Sequence, residues 1–164
     1  MSAFAYVGQY SDTAFLNVFR LRTDFRSSWV GVLGMTRRLV ELAPWFELHG
    51  EAQLGQHWGM QGHPEVNALV KSHWGPLSWG DRLATTAGLG TGFSYAFERP
   101  EIEFRPERPP SRFLIYLLAE IGLAHPDAPD WGIFMRVHHR SDGFGAIGEA
   151  RGSNFIGVGL RRRF

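Results

Sequence analysis

A histidine and a serine two residues apart on a β-strand share a face, roughly 6.6 Å from each other along the chain. His139 and Ser141 have that spacing, within His138-His139-Arg140-Ser141. A neutral imidazole that reaches a hydroxyl can take its proton and make it a nucleophile, the chemistry of ester cleavage through an acyl-enzyme. The same face carries Ile133, Met135 and Val137. A polar pair at the end of an apolar face is costly without a purpose, and an apolar substrate arriving from that side supplies one. His-x-Ser pairs also arise by chance, so the meaning of this one rests on the strands that hold it.

Length and composition bound those strands. A chain of 164 residues fits one domain, residues 1–164. Its 17 Lys and Arg against 16 Asp and Glu leave a net charge of +1, so no strong field selects nucleic acid. With no Cys there is neither a disulfide framework nor a thiolate metal site. No apolar run is long enough for a transmembrane helix, which leaves barrel strands open because they alternate. Twenty Gly, 13 Phe, six Trp and four Tyr point to a turn-rich, aromatic β protein. No signal peptide stands at the N-terminus; an exported chain would have lost its leader.

Two-residue alternation dominates from about residue 28. In Trp45 to His57, Phe46, Leu48, Gly50, Ala52 and Leu54 oppose Glu47, His49, Glu51, Gln53 and His57. In Glu65 to Trp74, Val66, Ala68, Val70 and Trp74 oppose Glu65, Asn67, Lys71 and His73. Arg112 to Leu123 and Trp131 to Ser141 alternate in the same way. Leu83 to Glu98 splits by size, with Gly88, Gly90, Gly92, Ser94 and Ala96 on the narrow face. Adding Ala3 to Tyr10, Ser28 to Val40 and Asn154 to Phe164 gives eight strands. Residues 11–27 stay unassigned, with Phe15 to Leu21 either extending the first strand or forming a ninth.

The connections fall into two kinds. Those at Leu42 to Pro44, Gly75 to Arg82 and His125 to Asp130 are short to moderate and carry Pro. The alternate ones, near Trp58 to His63, Arg99 to Pro110 and Asp142 to Ser153, include two that are longer and polar or glycine-rich. Trp45, Trp74, Trp79 and Trp131 sit by the short turns, and Trp29 and Trp58 by the loops, as two interfacial belts would require. The expected fold is therefore all-β: an eight-stranded antiparallel up-and-down transmembrane β-barrel. The competitor is a soluble barrel with an apolar interior. Glu47, Glu51, Lys71, Glu120, Arg136, Arg161 and Arg163, roughly balanced in sign on the polar faces, argue against it.

The run Val137-His138-His139-Arg140-Ser141-Asp142-Gly143-Phe144-Gly145, then Gly152-Ser153-Asn154-Phe155 and a final Arg-Phe, resembles the outer-membrane lipid A deacylases. These belong to the acyloxyacyl hydrolase-like group of small barrels. The motif similarity covers roughly the last 30 residues, and the architecture covers the whole chain. The resemblance implies an eight-stranded barrel in the bacterial outer membrane that removes an ester-linked acyl chain from lipid A, without metal or cofactor. It implies His139 as base and Ser141 as nucleophile.

Two positions depart from the family pattern. The family has Asn directly after the serine, where it helps hold the oxyanion; this chain has Asp142, a carboxylate that opposes such a role. That leaves backbone N–H groups near Gly143 to serve. The family's Glu lies about a dozen residues after the serine, where this chain has Ser153 and Asn154. Asn154 shares the outward phase and can orient a histidine, but it cannot offset imidazolium charge. Glu149 is the nearest acid in the loop and an alternative third member, and Asp142 is another that can fold back to the histidine. Charge and spacing single out further groups. Arg99, Arg105, Arg108 and Arg140 cluster toward the loop end as contacts for phosphates of outer-leaflet lipopolysaccharide. His49, Glu51, His57 and His73 are weighed as metal ligands and read instead as ordinary interior polar groups. The competing function is a catalytically inactive barrel that binds lipid or a partner, with a homodimer left open.

Overall fold

A computed structural model of the chain describes residues 1–18, 20, 22–77, 83–106, 109–143, 145–147 and 152–164. Among them eight strands form one sheet: β1 (Ser2–Ser11), β2 (Phe25–Ala43), β3 (Phe46–Trp58), β4 (Pro64–Leu77), β5 (Ala84–Ala96), β6 (Phe113–Ala124), β7 (Trp131–Ser141) and β8 (Ser153–Arg163). Each pairs antiparallel with the next, and β8 returns to β1 in a register running from Ser2↔Arg163 to Ser11↔Asn154. Closure leaves no sheet edge exposed. Besides the strands there are a four-residue helix α1 (Phe15–Val18) and a 3-10 turn at Glu101–Glu103.

Both termini lie at one end, where the Met1 amine meets the Phe164 carbonyl at 3.4 Å. That end carries the connections 44–45, 78–83 and 125–130; the other carries 12–24, 59–63, 97–112 and 142–152. Short turns at one end and longer loops at the other are the asymmetry of outer-membrane barrels. The segment after β1 is thus the fourth loop. It forms α1 before β2 begins at Phe25, so the expected strand extension or ninth strand at Phe15 to Leu21 is corrected.

The strand period decides what each side of the wall meets. Leu33, Leu54, Val70, Leu89, Phe93, Ile121, Ile133, Met135, Val158 and Leu160 point outward and are exposed. Glu51, Lys71, Glu120 and Arg136 point inward and are buried. This inverts the distribution of a water-soluble protein, so the surrounding solvent must be hydrocarbon and the barrel is transmembrane. Trp45 and Trp131 are exposed at the turn end, and Trp58, paired across strands with Trp29, at the loop end. Trp79 lies outside the described residues.

Side chains fill the lumen in layers. Toward the turn end, Arg136 stacks over Phe4, Tyr6 and Phe134 at 4.6–5.2 Å and pairs with Glu51 and Glu120. Lys71 lies 3.2 Å from Glu51 and 3.1 Å from Glu120. Gly34 makes room for this floor, since a Cβ there would stand 2.2 Å from the Phe4 ring. Above it, the Tyr6 hydroxyl meets His138 Nδ1 at 2.7 Å, and Glu65 lies 3.0 Å from both His138 and His57. His63, just before β4, stacks on His57, and burial pushes its pKa down. A charged, largely paired interior of this kind braces the wall and fills much of the lumen.

Candidate active site

His139 stands on the outer face of β7, opposite Asn154 of β8. Its Nδ1 lies 2.6 Å from Asn154 Oδ1, while Asn154 Nδ2 donates to the Thr13 carbonyl at 2.6 Å. A carbonyl only accepts, so the amide nitrogen must face Thr13 and the amide oxygen must face the imidazole. The network therefore assigns the proton of the neutral ring to Nδ1 and leaves the lone pair on Nε2. An imidazole so held has the tautomer a general base needs.

Ser141 is the last residue of β7, half-buried, on the same face as His139 and paired with Ile115 of β6. Its Oγ accepts a 3.3 Å hydrogen bond from the Gly143 N–H. Gly143 has φ +65°, and a Cβ there would come within 2.2 Å of Ile115 Cδ1. Glycine is thus what lets a main-chain donor turn toward the hydroxyl, and main-chain donors beside a nucleophile are the usual cradle of an oxyanion. Among the described residues no hydrogen bond joins His139 to Ser141. In resting sites such bonds are often long and tighten with substrate.

The loop after β1 covers the histidine. Phe15 lies against the imidazole with ring centroids 4.5 Å apart and planes 30° apart. Val18 packs on Ala119 and Val137, with Phe15 and Ile156 at the margin. Ala119, Val137 and Ile156 belong to the outward face, so α1 replaces lipid just below His139. Beside it a cleft of about 200 Å³ runs between residues 10–15 and 152–154, with His139 in its wall.

On the lumen side, Glu103 ties the two strands of the site together. Its Oε1 accepts from Arg140 at 3.0 Å and from Ser153 Oγ at 2.8 Å. Burial pushes its carboxyl up to about 7. Arg140 also donates to the carbonyls of Ser111 and Arg112. Arg140 is fully buried inside the barrel, which corrects its reading as a headgroup contact: its phase on β7 is that of His138 and Arg136, not of His139.

The other expected residues scatter. Arg99 is exposed at the loop end. Arg105 is half-buried, bonded to the Phe104 carbonyl and 3.8 Å from Asp12. Arg108 and Glu149 lie outside the described residues. Asp142 opens the last loop, where its carbonyl accepts the Ile147 N–H at 3.1 Å. The residues weighed as metal ligands stand in two places: His49 stacks on His73 toward the turn end, and His57 meets Glu65 and His63 toward the loop end. Among the described residues no group of three or more His, Cys, Asp or Glu is arranged to hold a metal ion.

Sequence reasoning missed Thr13, Phe15, Val18 and Glu103. The first three sit where alternation fails, and that failure was itself the sign of a loop. Nothing local marks Glu103, whose partners lie 37 and 50 residues away.

No protein-family model matches the chain, and no curated protein matches its sequence. The structure is similar to that of the outer membrane enzyme PagL, with a TM-score of 0.68 at 13% identity over 100% of each chain. It is also similar to Neisserial surface protein A, with a TM-score of 0.60 at 9% identity over 99% of this chain and 96% of that one. The N-terminal β-barrel domain of Pseudomonas aeruginosa OprF gives a TM-score of 0.50 at 10% identity over the same shares. At these identities the likeness is one of fold.

Proposed function

We propose that this barrel is a serine esterase of the bacterial outer membrane, acting on an ester-linked acyl chain of lipid A or a related outer-leaflet lipid. The observation that carries the reading is the outward-facing His139, fixed by Asn154 in the tautomer with Nε2 free, beside Ser141 at the loop end. The exposed apolar wall and the loop asymmetry support placement in that membrane, as do the outer membrane enzyme PagL and the other barrels of like fold. The resemblance of the last 30 residues to lipid A deacylases supports the substrate class.

In this mechanism His139 Nε2 takes the proton of Ser141 Oγ as the oxygen attacks the ester carbonyl. The Gly143 N–H faces the oxyanion that forms. Collapse of the intermediate breaks the ester C–O bond, and His139 returns the proton to the departing alcohol. Water, deprotonated by His139, then attacks the acyl-Ser141 ester; the acyl C–Oγ bond breaks, His139 returns the proton to Ser141 Oγ, and the fatty acid leaves. Asn154 holds the ring throughout but adds no negative charge to steady the imidazolium, so this triad lacks the electrostatic help of a carboxylate.

A second reading has the barrel bind a lipid or protein partner without turnover. Phe15 over the imidazole and the missing His139–Ser141 hydrogen bond favour it. Mass spectrometry of purified lipid A after incubation with the detergent-folded protein and with Ser141→Ala separates the two. Loss of one fatty acid with the parent alone supports the esterase. No loss from a folded parent assigns the barrel to the second reading.

A further inference from the structure

The turn end of the lumen holds a second polar site, far from His139. A cavity of about 470 Å³ opens there, lined among others by Lys71, His73, His49 and Arg161. Its floor is the buried cluster of Lys71, Arg136, Arg161, Glu51 and Glu120, three cations against two carboxylates. The carboxylates are already saturated. Glu51 accepts from Arg136, Gln53 and Thr36 and lies 3.2 Å from Lys71. Glu120 accepts from Arg136, from Lys71 at 3.1 Å and from Arg161 at 2.8 Å. Among the described residues the cluster thus carries one more positive charge than its carboxylates balance, and burial makes such an imbalance costly.

The surplus sits at Arg161. Its Nη2 bonds to Glu120, and among the described residues its buried Nε has no hydrogen-bond partner. Phe4 and Phe134 hold the guanidinium at 5.8 and 4.9 Å, so it cannot swing away without losing that stacking. Glu47 also lines the cavity, but its oxygens are taken by Arg38 at 2.9 Å and His49 at 2.6 Å. His49 stacks on His73, with centroids 4.9 Å apart, and His73 carries its ring into the cavity wall. Asp130 lies at the rim and is exposed.

We infer that this cavity binds a small soluble oxyanion, a phosphate or carboxylate, between Arg161, Lys71 and His73. The anion neutralises the cluster, meeting the part of the Arg161 side chain that stays open to the cavity. A soluble ion suits the place better than a lipid headgroup, because the donors point into the lumen and the wall separates them from the bilayer. The inference is independent of the esterase reading.

The test is a titration of the detergent-folded protein with inorganic phosphate replacing chloride at constant ionic strength, read by the imidazole NMR signals. His73 and His49 shift saturably, whereas His57 and His138, at the other end of the lumen, do not. Arg161→Gln removes the shift and Arg162→Gln, whose guanidinium lies over Trp131 and does not line the cavity, retains it. A linear, unsaturated response, or one that survives in a folded Arg161→Gln, overturns the site. Should Arg161→Gln not fold, phosphate-dependent thermal stabilisation in the parent and its loss in His73→Ala support the site, and equal stabilisation of both overturns it. In phosphatidylglycerol nanodiscs without phosphate the imidazoles stay unshifted; a shift there assigns the donors to a lipid headgroup and overturns the soluble ion.

Discussion

Asn154 joins His139 to Thr13, accepting from the imidazole through its oxygen and donating to the loop carbonyl through its nitrogen, both at 2.6 Å. One amide thereby fixes the tautomer of the histidine and pins the loop that covers it. Only a residue with a donor and an acceptor on one planar group does both, which a carboxylate at this position would not.

Asn154→Ala should free the ring to rotate. Ester hydrolysis is expected to fall by roughly 10²-fold, the lower range of what a positioned general base contributes. Lipid A turnover measured beside amide exchange at Thr13 to Val18 checks both functions of the residue. An unchanged rate would remove Asn154 from the site.

Val18→Ala should loosen the cover. Val18 is 7% exposed and packs on Ala119 and Val137, so trimming it weakens docking of α1 by roughly 1 kcal/mol. Amide exchange across Phe15–Val18 should quicken by about fivefold while β6 to β8 stay protected. If opening limits access to His139, lipid turnover rises with it.

Glu103 predicts a pH dependence at the loop end. Its carboxyl titrates near 7 in the folded barrel against an ordinary value of 4.5, because burial penalises the charged form. The folded state then holds the proton more tightly than the open one. Its contribution to docking is complete below pH 4.5 and is lost as pH rises through about 7. Exchange at Glu101–Phe104 should therefore accelerate between pH 5 and 8, and Glu103→Gln should flatten that rise.

Glu120→Gln should be among the most damaging single changes. It strips Arg136, Lys71 and Arg161 of a shared carboxylate, and breaking a buried pair costs about 3–5 kcal/mol. The midpoint of urea unfolding in detergent, followed by heat-modifiable gel migration, should drop accordingly. Gln at the exposed Glu41, whose Arg38 pair lies in solvent, should leave it nearly unmoved.

The period-two pattern of the sequence determined the strands, their faces and the inverted polarity of the wall, because side-chain direction in a strand follows from position alone. It carried Leu33 outward and Arg136 inward, and it put His139, Ser141 and Asn154 on one face before any pairing was known. Register was beyond it. The β7–β8 pairing set Asn154 beside His139 and barrel closure set Ser11 beside Asn154, since cross-strand neighbours depend on turn lengths and shear rather than on local pattern. The segment 12–24 has no period, so its path over the outer wall was decided by tertiary packing of Phe15 and Val18. Glu103 likewise gained its partners only when a loop folded back into the lumen, where burial and Arg140 together define its chemistry.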